Sequence, residues 1–237
     1  MPSLEGKVAV VAGATRGAGR GIARMLGEAG ATVYCTGRSS RTQPNTSDHH
    51  YAGRPETIEE TAALVDAAGG TGLAVRVDHR EEAEVEALFK RVAKEQKRLD
   101  VLVNVLTGAP VHDLGWKPFW KLAVAEGRAV FDGWVWPHVM TCRHAVPLMV
   151  KQKSGLVVEI IEQDALRYHG QFYFDLFETA LKRLALALAE EGAPHGVSAL
   201  AITPGFMRTE AILEHFQTTE ATWREAAETN AEAKRFG

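Results

Sequence analysis

Gly13, Gly17 and Gly19 stand in the spacing G-x-x-x-G-x-G, directly after the apolar run Val8-Ala9-Val10-Val11-Ala12 and before Ile22-Ala23. A strand, a glycine turn that includes Thr15 and Arg16, and a helix start follow from that pattern. Glycine is needed where a backbone turns tightly, approaches a phosphate, or lets helix and strand pack closely. The free N–H groups and positive dipole end of the helix favour an anion in the turn, and a pyrophosphate suits it. The plainer alternative is a glycine-rich surface turn. The strand before and the helix after favour the phosphate reading, because the mechanism demands both.

The second apolar run, Thr32 to Thr36, ends in Gly37-Arg38-Ser39-Ser40-Arg41. In dinucleotide folds this strand end meets the adenosine ribose, where an acid suits NAD and a basic residue suits the 2′-phosphate of NADP. No acid stands in this segment. Arg38 is the expected phosphate clamp, helped by Ser39 and Arg16, so the expected cofactor is NADP. A solvated loop arginine is the competing reading.

Other reactive side chains give weaker patterns. Cys142 follows His138 by four residues on an expected helix, the spacing of a Cys-His dyad, but small buried cysteines are common in cores. His49-His50 lies in a polar loop without further ligands at suitable spacing, so no metal site is expected. Trp116, Phe119, Trp120, Phe131, Trp134 and Trp136 form a dense aromatic stretch. It suits a substrate pocket, a core or a subunit interface equally.

The elements that must position these residues alternate along the chain. Strands are expected at Lys7–Ala12, Thr32–Thr36, Leu73–Val77, Asp100–Asn104, Gly155–Ile161 and Val197–Ile202. Helices are expected at Ala18–Ala29, Pro55–Ala68, Glu81–Lys97, a long stretch ending near Lys153, and Gln171–Glu191. The polar remainder reads as helical. Alternation without a linker or repeat argues for one α/β domain over 1–237, a doubly wound parallel sheet of the Rossmann type, with ligands at the carboxyl ends of the strands. The 237 residues carry a formal net charge of −3. That balance argues against a nucleic-acid partner. No apolar run reaches a membrane span, and the two cysteines, Cys35 and Cys142, read as reduced thiols of a cytoplasmic protein.

The chain resembles the short-chain dehydrogenases/reductases along nearly its whole length. The resemblance is carried by Gly13-Ala14-Thr15-Arg16-Gly17-Ala18-Gly19, Asp78, Leu99-Asp100-Val101-Leu102-Val103-Asn104 and Pro204-Gly205-Phe206-Met207-Arg208-Thr209. It implies an NADP(H) site acting on a small-molecule substrate. The glycine turn would hold the pyrophosphate, Arg38 and Arg16 the 2′-phosphate, and Asp78 the adenine. Asn104 and Gly108 would flank the adenosine ribose, and Pro204, Gly205 and Thr209 the nicotinamide end. It also implies a homodimer or homotetramer, and a further helix and strand that this sequence does not supply.

The family's catalytic serine, tyrosine and lysine are absent. Aligning Thr179-Ala180-Leu181 on the family helix puts Glu162 at the serine, Phe174 at the tyrosine and Glu178 at the lysine. Trp134 falls near the family's relay asparagine. Tyr173 does not rescue the pattern, because a neighbouring helical residue points about 100° away. Reduction of a ketone needs a proton donor at the developing alkoxide, and Phe174 has none. Ordinary turnover is expected to be absent or slight. Glu162 and Glu178 are expected to face one pocket and disfavour each other's ionisation. Val105, Leu106, Ile161, Phe174 and Phe177, with Trp134 and Trp136, would wall it. Three readings follow: an NADP-linked oxidoreductase with a damaged relay, a non-redox enzyme with Glu178 or Glu162 as general base, and a catalytically silent binding protein. Natural divergence and deliberate redesign of the pocket both fit.

Overall fold

The computed structural model describes residues 3–44, 53–107, 117–162, 168, 170–205 and 207–229. Six parallel strands, β1 (Val8–Ala12), β2 (Thr32–Gly37), β3 (Thr71–Arg76), β4 (Val101–Asn104), β5 (Gly155–Ile160) and β6 (Val197–Ile202), lie in the order β3-β2-β1-β4-β5-β6. The order reverses between β1 and β4, so a crevice opens at their carboxyl ends. Ala12 and Asn104 sit side by side there.

Helices cover both faces. On one, Ala23 of α1 (Gly17–Glu28) and Ala62 and Val65 of α2 (Ile58–Ala67) pack on Ala9, Val11, Val33 and Val103. On the other, α3 (Glu82–Gln96) and α5 (Trp136–Gln152) pack on Val8, Val10, Tyr34, Leu102 and Val157. The near-continuous apolar strands β1 and β2 belong between two helical layers. α6 (Phe172–Gly192) lies beside β5 and β6. Among the described residues β6 is an edge strand, with Leu200 and Ile202 exposed. The short helices α4 (Val124–Val130), α7 (Glu210–His215) and α8 (Trp223–Thr229) complete the chain.

Two boundaries differ from expectation with consequences for the site. α2 starts at Ile58 rather than Pro55, because Thr57 and Glu60 close a reciprocal capping box. Pro55 and Glu56 are left outside the helix. A π-helical turn over Phe131–Val135 joins α4 to α5. Such turns re-aim side chains and cluster at functional sites.

The sheet carries a polar layer at its carboxyl end. Thr36, Asn104 and Glu159 are brought level across β2, β1, β4 and β5 by register. Side chains alternate along a strand, so all three face the α3 and α5 side, like Tyr34, Leu102 and Val157 two residues earlier. His79, just after β3, lies between Thr36 Oγ1 (2.8 Å) and Thr141 Oγ1 (3.0 Å). Burial, opposed by the charge of Asp78 and helped by that of the nearby His138, lowers its pKa to about 3. His79 is therefore neutral when folded, and one of the two threonine hydroxyls turns its hydrogen toward the ring.

An unfolded histidine takes up its proton near 6.5, so His79's contribution is whole above that pH and lost as pH falls from 6.5 toward 3. Unfolding free energy is expected to drop by about 3 kcal/mol from about pH 7 to about pH 4 through this residue. Urea midpoints across that range check it, with a flatter acid limb expected for His79→Gln.

Candidate functional site

The glycine turn is built by close backbone approaches. Gly13 has φ of +90°, and a Cβ there would meet the Val105 carbonyl oxygen at 2.2 Å. A Cβ on Gly19 would stand 2.1 Å from the Gly13 oxygen. Only glycine allows β4 and α1 to come this near to the turn. Thr61 of α2 donates to the Ala14 carbonyl at 2.8 Å and fixes the turn from below, with Thr15 buried in it. Thr209 arrives from the loop after β6, its Cγ2 3.4 Å from where a Gly17 Cβ would stand. Pro204 and Gly205 lie exposed on that loop. The structure thus brings Gly13, Thr15, Gly17, Gly19 and Thr209 together at the crevice.

At the end of β2, Arg16 Nη2 donates to Ser39 Oγ at 3.4 Å. The acid missing from that segment comes from the extended stretch before α2. Glu56 is buried, 3.4 Å from Arg16 Nε and clamped by Arg54 at 2.8 Å. Burial alone would raise its carboxyl; the hydrogen bonds and charge of Arg54, with Arg16, hold it below the ordinary value. Arg38 is half-buried, and its charge reaches Asp78. Asp78 is gripped by Arg80 at 2.6 Å; against the effect of burial, that contact holds its carboxyl low. Gly108 lies outside the described residues, as do His49, His50 and Trp116.

Asn104 departs from the role implied for it. Its side chain is wholly buried and donates to Glu159 Oε1 at 2.8 Å and to Cys142 Sγ at 3.3 Å. It holds the polar layer rather than reaching into the crevice. Glu159 in turn meets His138 Nδ1, and His138 Nε2 lies 2.9 Å from the Leu106 carbonyl. Both ring nitrogens face acceptors, an arrangement that favours the imidazolium. Burial would lower its pKa; the charge and hydrogen bond of Glu159, the Leu106 carbonyl and the charge of Glu178 outweigh it and raise the value. Cys142 donates to Glu159 Oε1 at 3.2 Å and makes no dyad with His138. Burial beside that carboxylate pushes its thiol well above the ordinary value, which makes it an inert core residue.

The pocket expected of Glu162 and Glu178 takes another form. Glu178 meets Glu162 through the Glu162 backbone. Glu178 is 1% exposed, and its Oε2 accepts the backbone N–H of Glu162 at 2.9 Å. Glu162 is exposed, and the protein packed about its carboxyl raises its pKa by desolvation. Phe174 is 8% exposed, 5.6 Å from the Trp134 ring in a cluster with Ile161, Phe177 and Leu181. Trp136, expected as a pocket wall, is 48% exposed; two residues on from Trp134 a helix points the other way. Phe119 and Trp120 also face outward. Leu106 contributes its carbonyl to His138, with its side chain half-buried.

A sequence profile of the family described as short chain dehydrogenase matches residues 7–220. The chain belongs to the short-chain dehydrogenase family. The dehydrogenase/reductase SDR family member 1 of Homo sapiens is 34% identical over 220 residues, which is 92% of this chain and 66% of that protein. Its Mus musculus counterpart is 34% identical over 222 residues, with the same shares. The chain thus spans just under two thirds of their length. A metagenomic short-chain oxidoreductase crystallised with NADP is 27% identical, with a TM-score of 0.70 over 86% of this chain and 84% of that one. A short-chain type dehydrogenase/reductase from Mycobacterium ulcerans shares the fold, with a TM-score of 0.76 at 22% identity over 93% of this chain and 75% of that one. No helix among the described residues is long and apolar enough to cross a membrane.

The residues present fit a nicotinamide dinucleotide. The turn has the bare backbone that a Cβ would fill, the N-terminus of α1 opens onto it, and Arg16 with Ser39 sets a cation at the end of β2.

Proposed function

We propose that this short-chain dehydrogenase binds NADP(H) in the β1–β4 crevice and has lost the family's proton relay to a ketone. A bound nicotinamide would supply hydride chemistry. The chain's part is to hold the pyrophosphate on the glycine turn and the 2′-phosphate near Arg16, Arg38 and Ser39. The observation that carries the loss is the pairing of a buried Phe174 with a buried Glu178, whose carboxylate is seated on the Glu162 N–H. Phe174 has no proton to give, and Glu178 sets a negative charge where the family holds a positive one. Fluorescence titration with NADPH and NADH tests the cofactor assignment. NADPH is expected to bind at least about tenfold tighter, since each charge-assisted contact to the 2′-phosphate is worth about 1.5 kcal/mol or more. Equal affinities would overturn it.

The raised carboxyl of Glu162 supports a second reading, in which it abstracts a proton from carbon without a cofactor. That reading requires turnover in the absence of nicotinamide, abolished by Glu162→Gln. A small-molecule substrate suits either reading, as does a homodimer or homotetramer in the cytoplasm.

A further inference from the structure

Helix α7 carries Glu210 and Glu214 four residues apart, on one face. Both reach the rim of the crevice. Glu210 Oε2 accepts the Gly17 N–H at 2.9 Å, and its Oε1 lies 3.9 Å from Arg20 Nε. Glu214 Oε2 accepts from Arg54 Nη1 at 2.6 Å. Arg54 also clamps Glu56, which pairs with Arg16 at the ribose end. The chain has therefore placed one of its own carboxylates on a donor of the glycine turn, at the positive end of α1. A second carboxylate ties the same helix to Arg54, which holds Glu56 against Arg16.

We propose that Glu210, backed by Glu214, is a built-in competitor of the dinucleotide phosphates and sets how tightly this chain takes its cofactor. The inference rests on the dinucleotide reading above. A backbone N–H offers one hydrogen, so Glu210 and a pyrophosphate oxygen cannot both hold the Gly17 donor. A carboxylate left beside a pyrophosphate also repels it. Nucleotide entry requires α7 to release Gly17. The loop from Thr203 moves with it, because Thr209 caps α7 through the Ile212 N–H at 3.3 Å. Pro204, Gly205 and Thr209 at the nicotinamide end are thereby coupled to occupation of the pyrophosphate end. Glu210 and Glu214 are both substantially exposed, so their hold is moderate and weakens with salt.

The test uses the full chain and two measurements. NADPH titration of the doubly neutral variant Glu210→Gln/Glu214→Gln is expected to give binding about five- to tenfold tighter than wild type. The gap should narrow as salt rises. In the wild type, amide hydrogen exchange over 210–215 is expected to quicken when NADPH is added. Equal or weaker binding by the variant overturns the proposal, as does exchange in α7 that NADPH leaves unchanged. If neither protein binds NADPH, the dinucleotide reading falls and takes this one with it. Failure of the competitor alone leaves wild-type binding intact, so the two failures are distinguishable.

Discussion

Replacing Glu159 with alanine is expected to lower the unfolding free energy by about 3–5 kcal/mol, because it removes the partner of a buried imidazolium, which must then shed its proton, and leaves buried polar groups without their acceptor. Glu159 and His138 are both fully out of solvent. Glu159 also takes the Asn104 amide and the Cys142 thiol, so one substitution leaves several polar groups without their acceptor. His138→Leu alone should cost a similar amount by leaving Glu159 unpaired. The double variant Glu159→Leu/His138→Leu should cost less than the sum, since no charge then remains to be desolvated. A double-mutant cycle in urea measures this coupling, and additive costs would refute it.

The pH dependence has a defined sign. Because the folded pKa of His138 is raised, its contribution is whole below the ordinary histidine value near 6.5. It is lost as pH rises through the raised value. Wild-type stability should therefore fall on the alkaline side in a way that the double variant does not, while the His79 limb on the acid side remains.

The strand–helix alternation and the doubly wound parallel sheet were legible because they rest on apolar periodicity and on turn glycines. Those signals are local, and the backbone contacts of Gly13 and Gly19 follow from them. The polar layer was less visible. Glu159 interrupts the apolar run from Leu156 to Ile161, which is a signal in itself, since a charge in a strand buried on both faces needs a partner. Its partner His138 lies 21 residues earlier on another element, and only the register of β4 with β5 and the rotation of α5 bring them together. The same limit applies to Glu56. It falls within an expected helix by composition, and the capping box at Thr57 is what leaves it outside the helix, against Arg16. Family position placed Glu162 and Glu178 in one pocket, and they are neighbours. Whether two carboxylates repel depends on side-chain direction, and here a backbone N–H separates their roles. The aromatic stretch divided for a related reason. The helical turn between Trp134 and Trp136 sends one into the core and the other to solvent.

The second large effect expected is a gain. The triple variant Glu162→Ser/Phe174→Tyr/Glu178→Lys should reduce a test ketone with NADPH at about 10²- to 10⁴-fold the wild-type rate, the range a positioned proton donor contributes. Phe174→Tyr alone places a hydroxyl beside Trp134, at the donor position that the family resemblance implies. With Glu178 still present it lacks the cation that would lower its pKa, so its gain should be far smaller. Glu178→Lys alone should give no activity and should destabilise the fold. It removes the acceptor of the Glu162 N–H and brings a second cation near His138, whose raised pKa Glu178 helps to support. The order of the steps is therefore informative. If the tyrosine is the missing donor, its gain appears only with the lysine, and NADPH oxidation by the triple variant exceeds the sum of the single ones. Should the triple variant fold and bind NADPH yet reduce the ketone no faster than wild type, the loss of activity does not lie in these three positions. The eroded turn after β4, where Val105 and Leu106 stand and Leu106 is tied to His138, would then be the place that blocks the substrate.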